Sequence, residues 1–428
     1  MAARRTSKRW TILLVGVLAG LYPAIVLSSL KSVDSLKGKL KTIKENVFLR
    51  KSLVGFQFCI AIVVFIAAII VSQQINYFFK GNLGYTKEYV VSALVPRDWT
   101  RKGVSKMEMV RNEFARMPEV SNASISYEIP DGMNGGQGPV YKNGTDSTTA
   151  IAMQAMVVDE HFADTYQIPM KAGSFFKISH GLDSSKLVLN ETGAKALGWS
   201  NPNDAVGKLV RLPGSPTIFS IEGILADYHF ASLQEKIAPF VYFHVNSALS
   251  YRCLSLNIKP GNIPNTISAL EKKWTSLLPG TAFEFKFIDD SLKKVYTTEL
   301  QLKKASYTAT TLAFIIVLLG VFGLISLSLH KRIKEIGIRK VLGAGLPDII
   351  FLFVKEFIII ILVAGLIACP LAWMAMHNWL ENYAYRIDIT PWPFIWASVT
   401  LGVLTLLLIG FQSLKAGLSN PVQSLRTE

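Results

Sequence analysis

Apolar runs of membrane-spanning length, gathered at both ends of the chain around a polar middle stretch, leave this sequence few ways to fold. Five runs qualify, at residues 10–30, 53–73, 307–329, 349–376 and 394–414. A hydrocarbon core about 30 Å thick takes about 20 residues of helix. In lipid the backbone must satisfy its own hydrogen bonds, so each run is expected as a helix. The 428 residues are 50% hydrophobic and the mean hydropathy is +0.34, a value that a water-facing surface alone does not produce. The first run follows a basic opening, MAARRTSKRW, and competes with a secretory signal reading. It is long for a signal core, and Leu30-Lys31 offers no small-residue cleavage site, so a span is expected.

Residues 75–305 have ordinary globular composition. Short β-rich runs recur at 89–95, 123–129, 152–158, 186–190, 217–224, 240–243, 253–258 and 282–288. Amphipathic helical patterns separate some of them, at 105–117, 191–197 and 264–278. The Gly-rich stretch 131–143 (DGMNGGQGPVYKN) is expected as a flexible loop. This pattern predicts an extracytoplasmic α+β domain inserted in a helical membrane bundle of about five spans. Residues 290–305 are expected as a helix continuous with the third span, able to carry motion from the domain to the membrane.

Orientation follows from the basic residues. The connection 31–51 holds Lys31, Lys37, Lys39, Lys41, Lys44, Arg50 and Lys51, and the next holds Lys331, Arg332, Lys334, Arg339 and Lys340. Both are expected on the cytoplasmic side. The large domain and the loop 377–392, with its belt residues Trp379, Tyr383, Tyr385 and Trp392, then lie outside, and the tail 415–428 inside. The same scheme puts the N-terminus outside, against the positive charge of Arg4, Arg5, Lys8 and Arg9. The net charge of +15 is thus a membrane signature; nucleic-acid binding needs a basic face on a folded domain and is not expected.

No chemistry-bearing motif stands out. G-x-x-x-x-G-K-[ST], G-x-S-x-G, H-E-x-x-H and C-x-x-C are all missing from the sequence, so no ATP-phosphate cradle, nucleophile elbow or metal pair is expected and no cofactor is assigned. Cys59 and Cys369 lie in apolar runs and Cys253 stands alone in the middle stretch. Asp159-Glu160-His161 is a conceivable metal site, but a helix cap by Asp159 after a strand is the expectation. Asp227-Tyr228-His229-Phe230 ends a strand, where a turn or interdomain packing outweighs a site. Lys355 and Glu356, near the start of the fourth run, are read as an interfacial pair in preference to an ion pathway.

The segment HKRIKEIGIRKVLGAG, residues 330–345, follows a span almost at once. Its mix of Ile333, Ile336, Val341 and Leu342 with basic residues suits a short helix at the cytoplasmic surface; a solvated basic anchor is the alternative. KEIGIRKVLGA after a span, behind a long outer domain, resembles the FtsX-like/MacB-like permease family of ABC transporters. The segments GLYPAIVLSSLKSV, LRKSLVGFQFCIAI, NYAYRIDITPWPF and SLKAGLSNPVQSLRTE agree with that resemblance. It covers nearly the whole chain.

The resemblance implies one span, a MacB-like periplasmic domain and three further spans per half. The corresponding divisions here are 31–51 linker, 52–74 span, 75–305 domain, 306–329 span, 330–346 coupling helix, 347–376 span, 377–392 loop and 393–414 span. Residues 1–30 would be the last span of a preceding half, which would account for the orientation conflict. Lys334, Glu335, Ile336, Gly337, Ile338, Arg339 and Lys340 map to the coupling helix that docks on a cytoplasmic ATPase. The family implies mechanotransmission: ATP-driven closure of the ATPase moves the outer domain, and this chain is not itself the enzyme. Implied partners are that ATPase, a second permease half or a second copy, the lipid bilayer and a periplasmic adaptor, in a bacterial inner membrane. A regulatory role, controlling a cell-wall hydrolase or sensing antimicrobial peptides, shares the architecture. A passive anchored binding domain would lack an ATPase partner.

Overall fold

The computed structural model describes residues 47–81, 83–132, 136–177, 185–331, 338 and 345–417. The expected span at 10–30 lies outside these residues. Among the described residues four helices are long and apolar enough to cross a membrane: α1 (Val47–Lys80), α9 (Thr297–Lys331), α10 (Leu346–Leu380) and α11 (Trp392–Gly417). At 1.5 Å per residue, the 34 residues of α1 and 35 of α9 each reach about 50 Å, well beyond the hydrocarbon core. Both are thus longer than a span requires, and the domain is joined to one end of each.

α1 packs along α9 and α10, and α11 closes on α9 and α10. Phe65 meets Phe314 edge to face at 5.0 Å, and farther out Tyr307 donates to Ser72 Oγ at 2.9 Å. Lys303 reaches Asn76 at 3.0 Å in the same α1–α9 seam. Large apolar side chains such as Leu362, Leu366, Leu407 and Phe411 remain exposed on the bundle, as a lipid-facing surface requires. Glu356 pairs with Lys51 of α1 at 2.9 Å, so the charge in the fourth run ties two helices together.

The domain is two subdomains on one eleven-stranded sheet. The first consists of β1 (Val90–Leu94), α2 (Arg101–Ala115) and β2 (Val120–Ser126), and, much later, β10 (Cys253–Ile258), α7 (Ile263–Leu277) and β11 (Phe285–Phe287). The order β11-β1-β10-β2, antiparallel throughout, is a split βαβ arrangement. Period-two alternation explains it. Val91, Ala93, Ala123, Ile125, Leu254 and Leu256 point to the two helices and bury against Phe114, Leu270 and Trp274. Each buried Val, Ile, Leu or Phe contributes roughly 1.5–3 kcal/mol. Both helices start on side-chain caps: Thr100 Oγ1 accepts from Gly103 N at 3.1 Å, and Asn262 Oδ1 from Asn265 N at 3.2 Å.

The second subdomain is inserted between β2 and β10. In chain order it holds β3 (Tyr141–Lys142), β4 (Gln154–Val158), α3 (Phe162–Tyr166), β5 (Met170–Gly173), β6 (Lys186–Asn190), α4 (Glu191–Ala196), α5 (Pro202–Ala205), β7 (Leu209–Arg211), β8 (Ile218–Leu225), β9 (Phe240–His244) and α6 (Val245–Ala248). The sheet continues β2-β4-β9-β6-β8-β7-β3, with β5 on β8. Part of the Gly-rich stretch expected as a loop is paired: Gln137 and Val140 bridge to Gln154 and Ile151, and β3 pairs with β7. Gly138 permits this approach, since a Cβ there would lie 3.1 Å from Val241.

The expected continuous helix into the third span is broken. A short α8 (Ile288–Val295) ends before Tyr296, and α9 starts at Thr297. At this joint the buried Tyr296 ring stacks on Phe78 of α1 at 5.0 Å. One continuous buried apolar cluster runs from Phe58 and Val321 in the bundle, through Phe78 and Tyr296, to Tyr228, Tyr242 and Val188 in the sheet.

Candidate functional site

The residues expected as a coupling helix, Lys334, Glu335, Ile336, Gly337, Arg339 and Lys340, lie outside the described residues. Ile338 is helical and exposed. α9 ends at Lys331, just before this segment in the sequence.

At the other end of α9 the domain meets the bundle through the segment 227–240. Asn190, at the end of β6, holds both ends of that segment. Its Nδ2 donates to Asp227 Oδ1 at 2.7 Å and to Ala238 O at 3.0 Å, while its Oδ1 accepts from Phe240 N at 2.8 Å. Thr192 adds two hydrogen bonds to the Asp227 carboxylate, at 3.0 and 2.7 Å. The middle of the segment then reaches three membrane-linked elements. His229 N donates to Leu83 O at 2.8 Å, just past α1. Leu233 N donates to Tyr296 Oη at 2.8 Å, at the α8–α9 joint. Leu233 O and Gln234 O accept from Tyr385 N and Ala384 N of the α10–α11 loop, at 3.3 and 2.9 Å.

That loop is in turn gripped by α1. Gln74 Nε2 donates to Tyr385 O at 3.0 Å and Gln74 Oε1 accepts from Ile387 N at 2.9 Å, so one side-chain amide satisfies two backbone groups. The Tyr383 ring lies 5.5 Å from Phe78, and the Tyr385 ring 4.6 Å edge-on from His229. Gln234 donates to the buried Glu299 carboxylate on α9. Burial holds the His229 imidazole below its usual pKa, against the pull of Asp227, so it is neutral at pH 7 and packs as a ring. Gly84, at φ +81°, lets the chain leaving α1 press against this segment; a Cβ there would sit 2.9 Å from Asp227 O and from Tyr228 Cβ. Asp227-Tyr228-His229-Phe230 thus packs domain against membrane elements, as expected.

A second polar cluster locks the two subdomains. Arg111 of α2 pairs with Asp159 at 2.7 Å and Glu160 at 3.0 Å, all three side chains 6% exposed or less. Ser124 Oγ and Ile125 N donate to Asp159 at 2.6 and 2.8 Å, and His244 meets Glu160 at 3.2 Å. Burial pushes the Glu160 carboxyl up, but His244 and Arg111 outweigh it and hold the group at about 2. The expected cap by Asp159 forms one turn early: its carboxylate accepts from His161 N at 3.1 Å as well as from Arg111 and β2, while α3 itself begins after His161 with no side-chain cap. Removing one partner of such a buried pair costs about 3–5 kcal/mol, because a bare charge remains. The two subdomains are thus locked together, and the domain is tied at one end to the residue after α1, to the α8–α9 joint and to the α10–α11 loop.

Sequence reasoning passed over Gln74, Leu233, Gln234, Tyr296 and Glu299. Arg111 left a readable signal, a charge on the apolar stripe of Val104, Met107 and Phe114. The others are ordinary in local context and acquire their role only through residues far away in sequence.

Comparison with known proteins gives two family models. One described as MacB-like periplasmic core domain matches residues 53–272, and one described as FtsX-like permease C-terminal matches residues 307–421. A macrolide export ATP-binding/permease protein MacB of Escherichia coli is 23% identical over 292 residues, covering 65% of this chain and 44% of that protein. The one of Mannheimia succiniciproducens is 24% identical over 264 residues, covering 59% and 39%. An uncharacterized ABC transporter permease YknZ of Bacillus subtilis is 32% identical over 117 residues, covering 26% and 28%. The chain thus spans less than half the length of these relatives. The periplasmic region of MacB from Actinobacillus actinomycetemcomitans superimposes with a TM-score of 0.36 at 13% identity, over 51% of this chain and 97% of that one.

Proposed function

The chain belongs to the family of FtsX-like permeases with a MacB-like periplasmic core domain, and on that premise we propose that it is the membrane subunit of an ABC transporter that works by mechanotransmission. A separate cytoplasmic ATPase docks on residues 334–340. Its closure and opening on ATP shift α9, and α9 moves the outer domain. No substrate crosses between the helices; the domain acts on cargo or on a partner outside the bilayer.

The observation that supports this most is the junction at 227–240. Its hydrogen bonds to Leu83, Tyr296, Ala384 and Tyr385 tie one rigid segment to the outer ends of α1, α9 and the α10–α11 loop. A domain merely anchored to a membrane needs one tether, and a flexible one serves. Here the tethers are several, short and buried, and each hydrogen bond contributes about 1 kcal/mol net. Motion of α9 along its axis therefore reaches the sheet with little slack.

The test is charge reversal in the docking segment. Arg339→Glu and Lys340→Glu should insert in the membrane normally but lose stimulation of the co-purified ATPase. Normal binding and stimulation by both variants would remove the assignment of 334–340.

A further inference from the structure

On the sheet face turned away from α2 and α7, the ends of β1, β10 and β11 leave a groove of about 300 Å³, beside the loop that leads into the inserted subdomain. That volume is at the lower end of small-molecule sites, and a seam between subdomains is where such sites collect. Strand register builds the groove. Leu94 stands opposite Cys253, and Ser92 opposite Lys286. Ser92 and Cys253 form a closed floor, 2% and 1% exposed, while Leu94, 50% exposed, offers an apolar wall.

Two cations face this space and they are held differently. Lys286 Nζ pairs with the buried Asp131 carboxylate at 2.7 Å, so that charge is matched. Arg252 donates Nε–H to Tyr127 O at 3.0 Å, and its guanidinium lies over the Tyr127 ring at 5.5 Å. Among the described residues it forms no ion pair with a carboxylate. Its stem and Nε are thus fixed; the fork also hydrogen-bonds the Cys253 thiol and lies in the field of the Glu128 carboxyl, which is not within ion-pair distance. The remaining acid, Glu284, is exposed at the rim.

We propose that this groove binds the carboxylate of a small amphiphile. The Arg252 fork takes the carboxylate, and the apolar part of the ligand lies on Leu94. A guanidinium clamped at Nε and stacked on a ring is pre-organised for a planar, two-oxygen anion. A cationic ligand finds no such partner, because the buried acid is already neutralised and the exposed one is hydrated. The site also has a mechanical position: β11 runs straight into α8 and the Tyr296 joint, so an occupant sits on the strand next to that joint. The binding proposal does not depend on docking of an ATPase.

The test uses the full chain in lipid nanodiscs and a ten-carbon fatty acid carrying a diazirine. After photolysis, label should appear on peptides containing residues 92–99, 251–254 and 284–286, and decanoate should compete while methyl decanoate should not. Arg252→Ala should lower labelling of these peptides about tenfold or more, with labelling of the membrane helices unchanged as an internal control. Leu94→Asp, at a position 50% exposed, should weaken labelling, because it removes the apolar wall and adds a negative charge. Competition by trileucine but not trileucine amide would assign the carboxylate to a peptide terminus, and competition by decanoate alone to an acyl chain. Labelling confined to the membrane helices, equal competition by the methyl ester, or no response to Leu94→Asp would overturn the proposal.

Discussion

Glu128 sits where β2 gives way to the inserted subdomain, 4% exposed, with one carboxyl oxygen accepting from Val157 N at 3.0 Å. Burial pushes its pKa up from 4.5 to about 7, against the pull of the Val157 amide and Arg252. The folded chain thus holds a proton that the unfolded chain releases. Its contribution to stability is full below pH 4.5 and is lost as the pH rises through about 7. At about 1.4 kcal/mol per unit, the loss is on the order of 3 kcal/mol. Urea unfolding of the domain in the reconstituted chain should give a lower midpoint at pH 8 than at pH 5, and Glu128→Gln should narrow that gap. The same pH dependence in both proteins would show that Glu128 ionises without cost. A carboxyl buried at a seam is not legible in sequence, since Glu128 stands in a run, SYEIPDG, that reads as a strand leading into a turn. Arg111 was half legible: its place on an apolar stripe is periodicity, but its partners Asp159 and Glu160 are 48 and 49 positions away.

Among elements, the proposed mechanism depends on the joint between α8 and α9. Tyr296→Phe keeps the ring stack on Phe78 and strips only the oxygen that accepts from Leu233 N. A buried N–H left without a partner costs about 1–3 kcal/mol. The Leu233 amide should therefore exchange hydrogen roughly tenfold faster or more in the variant, read by mass spectrometry on the peptide spanning 230–236. Unchanged protection would mean that this bond does not hold the joint. The strands at 186–190 and 253–258 were legible to the residue, because alternation and β-branched or apolar content agree there. β3, β5 and β7, of two to four residues, were not, since so short a segment shows no period and exists only because a neighbour pairs with it. The helical pattern across 290–305 carried no sign of the break, which falls at Tyr296, whose ring stacks on Phe78, 218 positions earlier.

For the whole molecule, the orientation argued from basic residues is directly measurable. Glu381→Cys, in the α10–α11 loop, should react with a membrane-impermeant maleimide in intact cells, and Lys37→Cys only after permeabilisation. Cys253 is buried and adds little background. Reaction of both from outside would reverse the scheme. The membrane character of this chain, its four described helices and the α+β nature of the middle stretch were decided by sequence alone, because hydrophobic length and alternation are local and lipid admits no other spanning structure here. The tertiary structure decided what local pattern does not encode: that residues 127–252 are an insertion in a split βαβ unit, that Arg111 locks the two subdomains, and that Leu233 and Gln234 meet Tyr296, Ala384 and Tyr385. Each of these joins groups dozens to hundreds of positions apart, and such pairings exist only once the chain has closed on itself.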